Sequence, residues 1–293
     1  MLDDIIHAAW REGEDHELAT RRARELVASV VASPQPIDVK IGLLEAAVEP
    51  LLDAPGGNPM LAFHAAKELV RENAFLERTT PHISEATRLQ RRVRLTVVQA
   101  RGLHCSGEHF LAFRAVLAGL TAVENFAEGH DAQLRTMANR PPNIIAECTV
   151  ALLGIGAASL RRASIAQSTR DFWTARFREL VLSYIPNLSD PSSAYQYPGT
   201  PSLVQMLYLL AERRDPADAQ LVRALHALDK LARQTDKRAL ATIPLREVAV
   251  ANYANDNEHA AKQSKLALPK LQKFPLPRHL KVVKRMNFLT QGE

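Results

Sequence analysis

The chain has 293 residues, of which 46% are hydrophobic and 24% charged, with a formal net charge of +5. That is the balance of a globular protein long enough for one large domain or two ordinary ones. Two cysteines, Cys105 and Cys148, exclude a disulfide framework and point to a reducing compartment. The start, MLDDIIHAAWREGED, is acidic and lacks the basic-then-apolar pattern of a secretory leader. The longest uncharged run, 148–160, is thirteen residues, short for a bilayer and suited to a buried helix. A cytoplasmic protein without a membrane span is expected.

Aromatics are sparse while Ala, Leu and Arg abound, and apolar residues recur at helical rather than two-residue spacing. An all-α fold of serial antiparallel helix hairpins is expected, either an α-solenoid-like array or an irregular bundle. The first helix spans 14–32, with Leu18, Ala23, Leu26, Val27, Val30 and Val31 as its apolar set, and stops before Pro34 and Pro36. A second starts near Ile37, carries Ile41, Leu44, Val48 and Leu51, and ends at the turn cluster APGGNP. A third spans 59–77, and Ser84 opens a fourth with Glu85 in its first turn.

The fourth helix repeats Leu89, Val93, Thr96, Ala100 and Leu103 on one stripe, with Arg88, Arg91, Arg92, Arg94 and Arg101 mostly elsewhere. Those arginines are either the solvated face of an amphipathic helix or a secondary basic face for an anionic partner. The next helix, 108–128, is apolar nearly all round and is expected to be central. Helices at 144–160 and 164–185 follow, the second carrying Phe172, Trp173 and Phe177. The Pro/Ser/Tyr-rich stretch 186–201 reads as a loop or linker, after which helices are expected near 202–213, 218–234 and 245–253. The expected organisation is a helical-repeat body over 1–185, the 186–201 loop, a small helical region over 202–258 and a tail over 259–293.

The segment ARGLHCSGEHFLAFRAVLAGL sets Ala100, Leu103, Gly107, Ala112 and Gly119 at spacings that resemble a tetratricopeptide repeat. Physically, Ser106-Gly107 makes a short connection between two helices whose facing sides carry small residues. The resemblance covers about one repeat and implies a scaffold that binds peptides or proteins, not an enzyme.

Candidates for chemistry are few. LGIGAAS at 153–159 imitates a dinucleotide-binding glycine turn, but Ser159 replaces the third glycine and no strand–helix alternation surrounds it. Close helix packing explains it better. His104, Cys105, Glu108 and His109 are the densest set of metal-ligand types, with Cys148 as a further member. The turn at Gly107 breaks the i, i+4 geometry a helical site needs, so structural roles are expected for them. His64 with Glu68 and His130 with Asp131 are helix or turn pairs that could orient an imidazole. No cofactor, metal site or catalytic residue is expected.

The charge split is the sharpest feature. From 259 to the end, Lys262, Lys265, Lys270, Lys273, Arg278, Lys281, Lys284 and Arg285 face a single acidic residue, Glu293, whereas residues 1–258 carry 29 cations against 31 anions. Those eight side chains are the expected contact to an anionic partner. The tail also holds Leu280, Val282, Val283, Phe288 and Leu289, enough apolar surface for a basic amphipathic segment. The leading expectation is a non-enzymatic helical scaffold or adaptor for a protein partner, its tail on an anionic one. The alternatives are a nucleic-acid-binding regulatory protein and a bacterial secreted effector with a basic C-terminal export signal.

Overall fold

The computed structural model describes residues 16–53, 57–137, 144–188, 262 and 265. Among the described residues the fold is all-α and without strands, as expected, in seven consecutive helices: α1 (His16–Ala32), α2 (Ile37–Asp53), α3 (Pro59–Thr79), α4 (Glu85–Cys105), α5 (His109–Met137), α6 (Ile144–Arg162) and α7 (Gln167–Leu188). The chain divides into two compact units, Met1–Ile165 and Ala166–Glu293. The division falls between α6 and α7. Helix α7 continues through Pro186 to Leu188, since a proline in the last turn removes only one backbone bond. The helices expected over 202–258, most of the 186–201 loop and the tail beyond Lys262 and Lys265 lie outside the described residues.

Local chemistry sets the helix ends. Asn58 caps α3, its side-chain oxygen accepting from the Leu61 N–H at 3.2 Å, with Pro59 in the first turn. Ser84 caps α4 by accepting from the Thr87 N–H at 3.1 Å. The α4–α5 connection closes at Gly107, whose φ of +90° suits a residue without a Cβ. There the Ser106 N–H donates to Gly102 O and the Glu108 N–H to Leu103 O.

In the first unit each helix packs on the next, and α1 also meets α3, α2 meets α4, and α4 meets α6. Pairings along the helices give their directions. Gly102 lies against Pro59 and Phe63 while Arg92 reaches Glu77, so α3 and α4 are antiparallel. Helix α2 shares one layer with α4, and α4 with α6. The core runs from Ala23, Val27, Ile41, Leu44, Leu69 and Leu95 at the α1–α4 end to Phe113, Val116, Leu152, Leu153 and Leu160 under α5 and α6.

Two glycines admit close approach. A Cβ at Gly102 would sit 2.8 Å from Pro59 O, and one at Gly119 would sit 2.9 Å from a Leu152 methyl and 3.3 Å from Thr96 Cγ2. Gly119 thus lets α5 settle on α4 and α6 together.

Helix α6 is more deeply buried than α5, and α4, which packs on α2, α3, α5 and α6, has the most neighbours. Twelve residues of α6, from Ile145 to Leu160, are buried, while in α5 only Ala112, Phe113, Val116, Gly119, Leu120 and Val123 are buried between His109 and Gly129. The apolar residues of α5 that stand exposed are Phe110, Leu111 and Ala118. Both helices are long and apolar enough to cross a membrane by length and composition. The 148–160 run belongs to a longer apolar helix than its thirteen residues suggest, and 61% of α6 is buried inside the protein, as in a core helix.

Candidate interaction site at the α4–α5 corner

The arginines of α4 are spent largely within the fold. Arg91 makes a two-pronged bond to Asp38 on α2, at 2.7 Å from Nε and 2.5 Å from Nη2. Arg94 reaches Glu45 on α2 in the same way, at 2.9 and 2.5 Å, and Arg92 bonds Glu77 on α3. Lys40 of α2 adds a fourth cross-link, donating to both oxygens of Glu72 on α3 at 2.9 and 3.0 Å. The fork of a guanidinium suits such bidentate pairing. Arg91 and Asp38 sharpen each other's charge: their mutual bond holds the Asp38 carboxyl below its ordinary value and raises Arg91. Arg88 and Arg101 are half-buried, and Arg88 Nε is buried without a hydrogen-bond partner among the described residues.

The other end of α4 gathers a different set. His104 Nδ1 shares a 3.0 Å hydrogen bond with Oγ of Ser159 on α6, a hydroxyl wholly shielded from solvent. The His104 and His109 rings lie 4.7 Å apart, tilted by 56°. Burial, then His109, Arg162 and Arg161, push His104 down to about 4; burial and Arg162 also lower His109, against the pull of Glu108. Both imidazoles are therefore neutral at pH 7. Arg161 and Arg162 end α6 beside them, and in the opening turn of α5 the His109 N–H donates to Gly107 O and the Ala112 N–H to Glu108 O.

Above this cationic floor the surface is apolar. Phe110 and Leu111 are 46% and 45% exposed. The Arg114 guanidinium stands 6.0 Å from the Phe110 ring centroid. Farther along α5, Ala118 and Thr121 are exposed and Ala115 and Ala122 half-buried. Cys105, Ser106, Gly107 and Glu108 complete an exposed rim around the turn. The corner therefore joins an apolar step to positive charge, with exposed Glu108 in the turn.

The remaining sequence candidates separate. Among the described residues no three His, Cys, Asp or Glu side chains are grouped to hold a metal ion. His104 turns to Ser159 rather than to Glu108, because α4 ends before Gly107. Cys148 is buried in α6, where burial pushes its thiol up to about 12 and keeps it neutral. Glu68 pairs with Arg71 at 2.6 Å, while His64 packs against Phe63 with ring centroids 5.3 Å apart. Gly154, Gly156 and Ser159 are buried within α6. The His130 and Asp131 side chains lie outside the described set. Of the tail cations Lys262 and Lys265 are exposed, and Lys270, Lys273, Arg278, Lys281, Lys284 and Arg285 lie outside the described residues.

Sequence reasoning missed Ser159 as the partner of His104 and Phe110 with Leu111 as an exposed step. The adjacent apolar pair at a helix start was the available signal, since α4 already supplies the covered side of α5. Comparison with protein-family models, with curated proteins and with solved structures finds no match.

Proposed function

We propose that this protein is a non-enzymatic helical scaffold that binds a protein partner through its helical body, while the basic tail over 259–293 contacts an anionic partner. One observation carries the reading: α5 is apolar along its length, yet few of its residues between His109 and Gly129 are buried, and Phe110 and Leu111 stand in solvent. An exposed apolar step of this kind, rimmed by charge, is characteristic of an interaction surface. The α4–α5 hairpin supports the tetratricopeptide-like reading as well, with its glycine turn at φ +90° and its small residue at the close approach, Gly119.

A photo-reactive benzoylphenylalanine at position 110 or 118, activated in cells, tests the scaffold. A discrete protein adduct at both positions, with none at exposed Glu25, is the expected outcome. Absence of adducts at every exposed position of α1–α6 overturns the reading. Nucleic-acid binding is the second reading, and the charge split favours it. It rests on the tail, because Arg91, Arg92 and Arg94 are already paired with carboxylates.

A further inference from the structure

Resting on the scaffold reading, we infer that the α4–α5 corner is the docking point for an acidic segment of a partner protein that carries large apolar side chains. The surface is built for both features. Phe110 and Leu111 offer apolar area that the protein's own core does not use. Arg114 lies over the Phe110 ring, and Arg162 is near enough to be felt by His104 and by the adjacent His109. The first turn of α5 adds the positive end of a 29-residue helix. Carboxylates in the segment meet Arg114 and Arg162, while its apolar side chains cover Phe110 and Leu111.

Charge complementarity selects this occupant over others. A basic segment, including the chain's own tail, would set its cations against Arg114 and Arg162. Glu108 is the acid that His109 feels. A nucleic acid would satisfy the arginines but leave Leu111 against phosphates. The placement is also distinct from a groove along the helical layer: it uses the end of one hairpin, where the N-terminus of α5 and the C-terminus of α6 meet through His104, His109 and Arg162.

The test is selection from a random twelve-residue peptide library displayed on phage, panned on the full chain and on a Phe110→Ala/Leu111→Ala variant. Both changed residues are exposed, so the variant keeps the wild-type circular dichroism and melting temperature. Arg162→Glu is the second variant. Enriched peptides rich in Asp and Glu together with Leu, Ile, Phe or Trp are the expected result. In solution such peptides lose about tenfold in affinity on the double variant, as for central apolar anchors. They lose about threefold on Arg162→Glu and weaken further with salt, as for a rim charge. Equal enrichment on wild type and the double variant would place binding elsewhere, sinking this inference and leaving the scaffold reading intact. Basic or neutral peptides selected through the corner would refute the assigned chemistry. No enrichment on any form would overturn both.

Discussion

His104 and Ser159 stand 55 residues apart in sequence and share a 3.0 Å hydrogen bond that joins α4 to α6 beside the turn into α5. The Ser159 hydroxyl is sealed from solvent, and the imidazole it meets is held neutral by burial and by the cations at the end of α6. The bond ties the last turn of α4 in place and, through the His109 contact, the first turn of α5.

That neutral imidazole makes stability fall on mild acidification. His104 is lowered from 6.5 to about 4, so between those values the unfolded chain binds a proton that the folded chain refuses. Stability is full above about pH 6.5 and declines as pH falls toward 4, by about 3 kcal/mol for a shift of this size. Urea unfolding at pH 4, 5, 6 and 7 measures it. His104→Gln keeps a hydrogen-bonding group without the titration and flattens the profile; an unchanged slope would assign the loss to other groups.

The Asp38 carboxyl responds at lower pH. Its value is depressed by Arg91, so the stability it contributes is present above 3.8 and lost as pH falls below that. The two windows are separable, and Asp38→Asn removes only the lower one.

Each cross-link on α4 is as strong as its more buried member. The Arg91 side chain is 11% exposed and Asp38 51%, so Asp38→Ala strands a buried guanidinium whose Nη1 already lacks a partner. Arg94 and Glu45 are 38% and 37% exposed, and water replaces either. Asp38→Ala is expected to cost about 2 kcal/mol, between the exposed and fully buried limits, and Glu45→Ala about 0.5 kcal/mol. Chemical denaturation of the two variants gives the ordering directly, and equal losses would contradict it.

Two helical glycines should respond oppositely to alanine. At Gly42 a Cβ meets nothing nearer than the Arg94 guanidinium at 3.8 Å, so Gly42→Ala gains helix propensity, about 0.5–1 kcal/mol. At Gly102 the same methyl would lie 2.8 Å from Pro59 O and 3.1 Å from Phe63. Backbone must move there, and Gly102→Ala is expected to lose about 1–3 kcal/mol despite the same propensity gain. Melting temperatures rising for the first and falling for the second are the readout.

The tail makes a prediction independent of the body. Truncation after Glu258 removes eight cations and one anion. Fluorescence anisotropy with duplex DNA is expected to lose any measurable binding on truncation. If all eight cations meet phosphates, log K for the full chain falls against log salt with a slope of about −7. Binding retained by the truncated chain would return attention to Arg88 and Arg101.

The sequence alone determined what local physics controls. Apolar periodicity, the Asn58 and Ser84 caps, the prolines and Gly107 mark where helices begin and end, and the described helices α2, α3 and α4 start where those signals stand. Helix formation is decided within a few residues, by i, i+4 bonds and capping groups that sequence displays. Tertiary structure decided the rest. Whether Arg91 and Arg94 face solvent or carboxylates depends on partners 53 and 49 residues away. Which of two apolar helices is the more deeply buried is not marked in either one's own sequence: α6 is, although each packs on two neighbours. The exposed step at Phe110 and Leu111 exists because α4 and α6 cover only one side of α5. Such pairings depend on the register in which helices pack, and side-chain periodicity along one helix carries no record of the neighbour's register.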